Sequence, residues 1–412
     1  MSTRKLLQPQ YVSKFQCTGP ACEESCCIGW RVQIDKSTYQ HYRECPDTEL
    51  RRQMDEKVTR ARTGENTANY AKIKMNGGGA CPFLDTDKLC AIQRKLGEEY
   101  LSVTCTTYPR TANSVSGTVE KSLTMSCPEA ARLALLNPVP MEFDQTEEDT
   151  SIRNTKGRSI DINNMKAAHQ PDRYFWELRI FIISLLQNRS YALWQRLVIL
   201  GLFCRSLTQL VSQAKLHEIP QLIGTYLNHL DQDVFKEELD NIPTELTIQM
   251  ELMKEVADER IFTGVNNHRF LECFGQFLHG IEYTAEAKKT EIGQHYAKTY
   301  ETYYKPFMNQ HEYILENYLV NYVFKNLFPF SGEKHIFDNY VMLTVHYAML
   351  KMLLIGMAGF HKENFGTDHV IKLIQSFAKV IEHNNAYLKN VHKLLKANDF
   401  NTMAYMAILI KN

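Results

Sequence analysis

The chain has 412 residues, 44% hydrophobic and 23% charged, an ordinary globular balance that at this length implies at least two domains. Its 47 basic and 47 acidic residues cancel, which argues against a strongly basic nucleic-acid surface. The N-terminus, MSTRKLLQPQYVSKFQC, lacks the apolar run of a secretory signal, and no uncharged stretch reaches the roughly 20 residues of a membrane span, so a cytoplasmic protein without a transmembrane segment is expected. The nearest stretch, Tyr340 to Phe360, is interrupted by His346 and Lys351 and reads as a buried helix.

Residues 1–136 form a Cys-rich segment with short strands. Asp35 to Arg60 reads as two helical pieces broken at Pro46-Asp47. Asn69 to Met75 alternates like a short strand and runs into Gly77-Gly78-Gly79, which predicts a tight loop leading to Cys81. Pro128 suits the first turn of a helix over Glu129 to Leu136. Residues 137–170, with Pro138, Pro140 and the acidic run Glu147-Glu148-Asp149, read as a linker or long surface loop. From residue 171 to 412 the pattern is helical: Phe175, Leu178, Ile182 and Leu185 make a buried stripe, and similar patterns recur to Ile410. The predicted fold is mainly α, a Cys-rich N-terminal domain followed by an all-α domain.

Nine of the eleven cysteines lie between Cys17 and Cys127. The first cluster is Cys17-x4-Cys22-x3-Cys26-Cys27; Cys45, Cys81, Cys90, Cys105 and Cys127 follow. A reducing compartment argues against disulfides, and thiolates are soft ligands for zinc, copper(I) or iron–sulfur clusters. With His41 the one histidine among the first 168 residues, a metal site here would be nearly all sulfur. Structural zinc favours paired C-x2-C knuckles, and the chain has none. Irregular spacing with an adjacent pair fits an iron–sulfur cluster slightly better. Cys45 reads as a surplus thiol; Cys204 and Cys273 lie on apolar helical stretches and read as core.

The opening QPQYVSKFQCTGPACEESCCIGWRVQIDKSTY and the block GGACPFLDTDKLCAIQRKLGEEYLSVTCTTYPRTANSVSGTVEKSLTMSCPEAAR resemble the bacterial flagellin lysine N-methylases over roughly residues 8–136. The Cys-rich part is also similar to a broader set of zinc- or iron-chelating domains. The resemblance implies transfer of methyl groups from S-adenosylmethionine to lysines of flagellin, and a four-iron four-sulfur (4Fe-4S) cluster. It places the cysteine ligand set on Cys17, Cys22, Cys26, Cys27, Cys81, Cys90, Cys105 and Cys127. Eight thiols exceed the four that one cluster needs, so either some are structural or there is a second metal, for which zinc is a candidate. The alternative is a non-enzymatic zinc- or iron–sulfur-stabilised interaction module.

Several local features bear on this chemistry. No G-x-G-x-x-G unit marks a Rossmann site for the donor, and Cys22-x3-Cys26 lacks the third cysteine of a C-x3-C-x2-C radical motif. Met75 to Cys81 reads as a hairpin tip or as backbone approaching a cofactor. Arg110, after Tyr108-Pro109, has two readings, a donor to cluster or cofactor and a surface salt bridge, and Trp30 and Arg31 invite the same two. Trp30 reads better as a shield of the metal site from water. Tyr296, Tyr300, Tyr303 and Tyr304 crowd one helix side, either to orient an amine or, in the plainer reading, to pack the helix rim.

Overall fold

The structure is a computed structural model that describes residues 2–30, 32–61, 66–155, 157–163, 170–284 and 286–411. Arg31 lies outside the described residues. Eight strands are named: β1 (Thr3–Pro9), β2 (Gln33–Ile34), β3 (Val58–Arg60), β4 (Ala71–Ile73), β5 (Arg110–Val115), β6 (Thr118–Leu123), β7 (Phe143–Asp149) and β8 (Ser159–Ile160). They form a mixed five-stranded sheet, β7-β1-β6-β5-β8, and a three-stranded antiparallel sheet, β2-β4-β3. The helices dominate, as the mainly-α reading expects.

The three-stranded sheet belongs to a small lobe built from residues 32–105. Asp35 caps the helix Lys36–Arg43 by accepting from the Thr38 amide, and Asp47 caps Thr48–Lys57 through the Glu49 and Leu50 amides. The two caps account for the break at Pro46-Asp47. Ile34, Tyr42, Leu50, Met54 and Phe83 close the lobe's own core.

The five-stranded sheet is the main departure from the sequence reading. Residues 143–149, read as linker, pair antiparallel with β1 along its whole length, from Thr3↔Asp149 to Pro9↔Phe143. The acidic run is not solvated spacer: Glu148 is buried and bonded to both Arg4 and Lys121. β5 and β6 form a two-residue hairpin at Ser116-Gly117, where φ is +47° and +84°, the backbone such a turn requires.

The sheet does not form a separate domain with the small lobe. Tyr11, Phe15, Leu123, Met125 and Ala130 belong to the same continuous core as the helical body. Buried Tyr11 anchors the junction, donating to Asn321 Oδ1 of the helix Tyr313–Lys325 and accepting from the Leu123 amide. At the centre of the helical body runs Ile336–His361, buried over nearly its whole length. It is long and apolar enough to cross a membrane, but its most apolar window is entirely covered by neighbouring helices.

Candidate functional site

Backbone pairing brings the first cysteine cluster to the second. Ile28 and Ala80 form a β-bridge, Gly29 N donates to Gly79 O at 3.0 Å, and Cys81 N donates to Cys27 O at 2.8 Å. The glycine run is therefore a hairpin tip, closed by Asn76 N to Ala80 O, which docks the two segments together. Cys90 sits in a second small bridge with Leu84, fixed by the Asp85 carboxylate accepting from the Leu89 amide. Cys105 lies in the helix Val103–Thr107, its amide donating to the capping Ser102 hydroxyl. Cys127 immediately precedes the helix Pro128–Leu135.

These placements sort the eight thiols into two neighbouring sets. Cys27, Cys81, Cys90 and Cys105 gather at the small core, and Cys26 shares a hydrogen bond with Cys27 and lies within the electrostatic reach of the other three. Cys17 and Cys22 lie near enough to Cys127 to act on it, and the three form a second set. Tyr108 lies between the sets, in the field of Cys127, Cys26 and Cys22. Cys45 is buried in the same small core, its thiol directed to Asp47 O, and Cys204 and Cys273 are fully buried in the helical core.

The electrostatics set Cys26 apart. The hydrogen bond from Cys27, with a smaller contribution from the Lys379 charge, brings Cys26 down to about 7, whereas the same bond and burial push Cys27 up. Burial raises Cys81 and Cys127 to about 11 and Cys105 to about 12. Such thiols hold their protons at neutral pH unless a metal displaces them. Lys379 is pinned beside the pair by Glu24 at 2.8 Å and the Ser25 carbonyl, tying this loop to the helical body.

The donor set suits a sulfur-ligated centre, with Cys81 and Cys127 buried and Cys17 and Cys26 exposed. Trp30 bonds the Cys26 carbonyl through its indole N–H, and its ring stands 5.5 Å from that of Tyr108. Arg110 does not point at the thiols; its guanidinium lies over the Phe15 ring. Among the described residues, no three His, Cys, Asp or Glu side chains close to the spacing of a single-ion site. A four-iron cube binds each cysteine through a different iron, so it spaces its sulfurs more widely than one ion does.

Beside the thiols lies a polar cavity of about 850 Å³ between β5, the end of the helix Tyr313–Lys325 and the helix Ile336–His361. Glu382 is held at its wall by the Lys325 ammonium at 2.6 Å and the Tyr318 hydroxyl at 2.8 Å, and that cation and hydrogen bond overcome burial to hold its carboxyl down at about 2. A π-helical turn, Ala378–Glu382, sets the position of Glu382 and of His383 next to it. His383 Nε2 lies 3.0 Å from Ser126 Oγ and 3.3 Å from Thr124 Oγ1, and Ser126 precedes Cys127.

The sequence reading did not find this cavity. Its signals were present but sparse: Lys325 at the end of a largely apolar helix, and His346 inside an apolar run. Conversely, Tyr296, Tyr300 and Tyr304 are buried in the helical core, so the tyrosine cluster packs rather than binds.

Comparison with known proteins identifies the family. Residues 179–409 match the family of the FliB lysine N-methylase C-terminal domain. The lysine-N-methylases of Salmonella typhimurium and Salmonella choleraesuis are each 26% identical over 400 residues, covering 94% of both chains. The flagellar biosynthetic protein FliU of Salmonella muenchen is 34% identical over 139 residues, 34% of this chain and 81% of that one. No solved structure matches. With the family domain filling most of the helical body and full-length relatives spanning both parts of the fold, the chain belongs to the FliB lysine N-methylase family and is a protein-lysine N-methyltransferase.

Proposed function

We propose that the chain transfers methyl groups from S-adenosylmethionine to lysine side chains of flagellin, and that thiols of its N-terminal third bind a 4Fe-4S cluster on which that activity depends. The observation that carries the reading is the convergence of Cys26, Cys27, Cys81, Cys90 and Cys105, drawn from loops far apart in sequence, in a chain of this family. Flagellin as substrate is supported by the flagellar biosynthetic relative. Cys27, Cys81, Cys90 and Cys105 would hold the cluster, with Cys26 the neighbouring thiol most readily ionised. When bound, the cluster supplies iron that exchanges electrons or takes a further ligand, and the sulfonium supplies an electrophilic methyl.

The chain's own residues carry the remaining requirements. A lysine amine ionises near 10.4 and must lose its proton to accept a methyl group, which calls for a site partly shut off from water. Trp30 and Tyr108 pack against each other beside Cys26, and Lys379 holds positive charge there. Incubating protein purified without oxygen with S-adenosylmethionine and unmodified flagellin should raise the flagellin mass in steps of about 14 Da, one per methyl. No mass gain with the metal retained would overturn the proposal.

A further inference from the structure

We propose that the polar cavity beside Thr124 and His383 is the binding site for S-adenosylmethionine, held by His346, Ser331 and Arg158. The inference rests on the methyl-donor reading above and adds the site, which sequence motifs leave unassigned.

Two buried polar atoms on the cavity wall lack partners among the described residues, His346 Nε2 and Ser331 Oγ. His346 is 2% exposed, and its Nδ1 lies 2.6 Å from the Met342 carbonyl. Only a protonated Nδ1 can bond a carbonyl, so in the neutral ring Nε2 carries a bare lone pair. A buried acceptor of this kind calls for a donor, and a ribose hydroxyl or an amine N–H supplies one. Charge is also left open. Arg158 and Lys389 have no carboxylate partner among the described residues, so they are available to a ligand carboxylate, whereas Lys325 and Glu382 satisfy each other.

The rim is built for close approach. Arg158 is fixed through its backbone to β5, its amide donating to Asn113 Oδ1 and its carbonyl accepting from Ser114 N. Its guanidinium lies over Gly332, where an added Cβ would come within 2.7 Å of Nη2. The volume is in the range of about 300–1,000 Å³ that small-molecule sites occupy. A lysine side chain alone would need an apolar sleeve for its methylenes, whereas this lining is rich in hydroxyls and amides, among them Thr111, Asn113, Asn326 and Asn385. That composition favours a nucleoside bearing an amino-acid tail over the protein substrate.

Isothermal titration of S-adenosylhomocysteine and S-adenosylmethionine into anaerobically purified, metal-containing protein tests the site. Arg158→Ala, Ser331→Ala and His346→Leu should each weaken binding by about tenfold or more, with metal content and thermal midpoint unchanged for the exposed Arg158. Wild-type binding that all three variants retain would remove the cavity assignment and leave the donor reading intact. No binding to wild type at all would overturn both. A lysine-containing flagellin peptide that competes with neither ligand but loses affinity in the variants would assign the cavity to the protein substrate instead.

Discussion

At the scale of single residues, burial decides what a charged group does. Lys351 lies inside the central helix, 5% exposed, with its amine donating to the Ile410 carbonyl at 2.8 Å. Burial brings its pKa down to about 7 from an ordinary 10.5. Between those two values the unfolded chain binds more protons than the folded one, so stability rises with pH across that window. The burial penalty is therefore greatest at and below about pH 7 and fades toward pH 10. Lys351→Met should raise the urea midpoint at pH 7 and lose most of that advantage at pH 9.5. An equal gain at both pH values would show that the amine is not desolvated. His346, in the same helix, is held below its usual value by burial, which keeps the ring neutral and its lone pair available. The sequence marks both residues as interruptions of an apolar run; it gives no sign that one is a structural cost and the other a cavity wall.

At the scale of elements, close helix packing and strand pairing show where sequence reading succeeds and where it ends. The helices His268–Gly280 and Ile336–His361 cross with their backbones nearly touching, and a Cβ on Gly280 would lie 1.8 Å from the Gly356 carbonyl oxygen. Gly280→Ala should cost about 1–3 kcal/mol by forcing the helices apart. Gly275→Ala, on the same helix with nothing within 4 Å of the new methyl, should be stabilising by roughly 0.5–1 kcal/mol. Thermal unfolding of the pair distinguishes a close crossing from a general intolerance of alanine, which would destabilise both. Helices such as Phe175–Leu186 and Pro128–Leu135 were legible because their apolar spacing or N-terminal proline is local. The five-stranded sheet was not, because β1 and the edge strand β7 are polar segments whose pairing depends on contacts about 140 residues apart. β6 was missed because Glu120 to Leu123 is buried on both faces, which removes the alternation a strand normally displays.

At the scale of the whole molecule, two construction principles meet at one place. A small lobe organised by loops and thiols docks on a helical body whose core extends into the mixed sheet. Glu23 and Glu24 of the cysteine loop pair with Arg132 and Lys379 across that junction. The sequence shows nine cysteines clustered in the N-terminal third, and the family resemblance singles out eight of them. Their division into a group around Cys27 and a group around Cys127 was not legible there, since it follows from which loops the hairpin at Gly77–Gly79 brings together. Family membership decides between the enzyme and the non-enzymatic module in favour of the enzyme.

The sulfur-lined centre is the claim on which the account turns, and metal analysis of protein purified without oxygen tests it most directly. The wild type should carry about four iron and four labile sulfide per chain, with Cys105→Ser stripped of both and Cys204→Ser unchanged. Stoichiometric zinc without iron, or full iron content in the Cys105 variant, would contradict it.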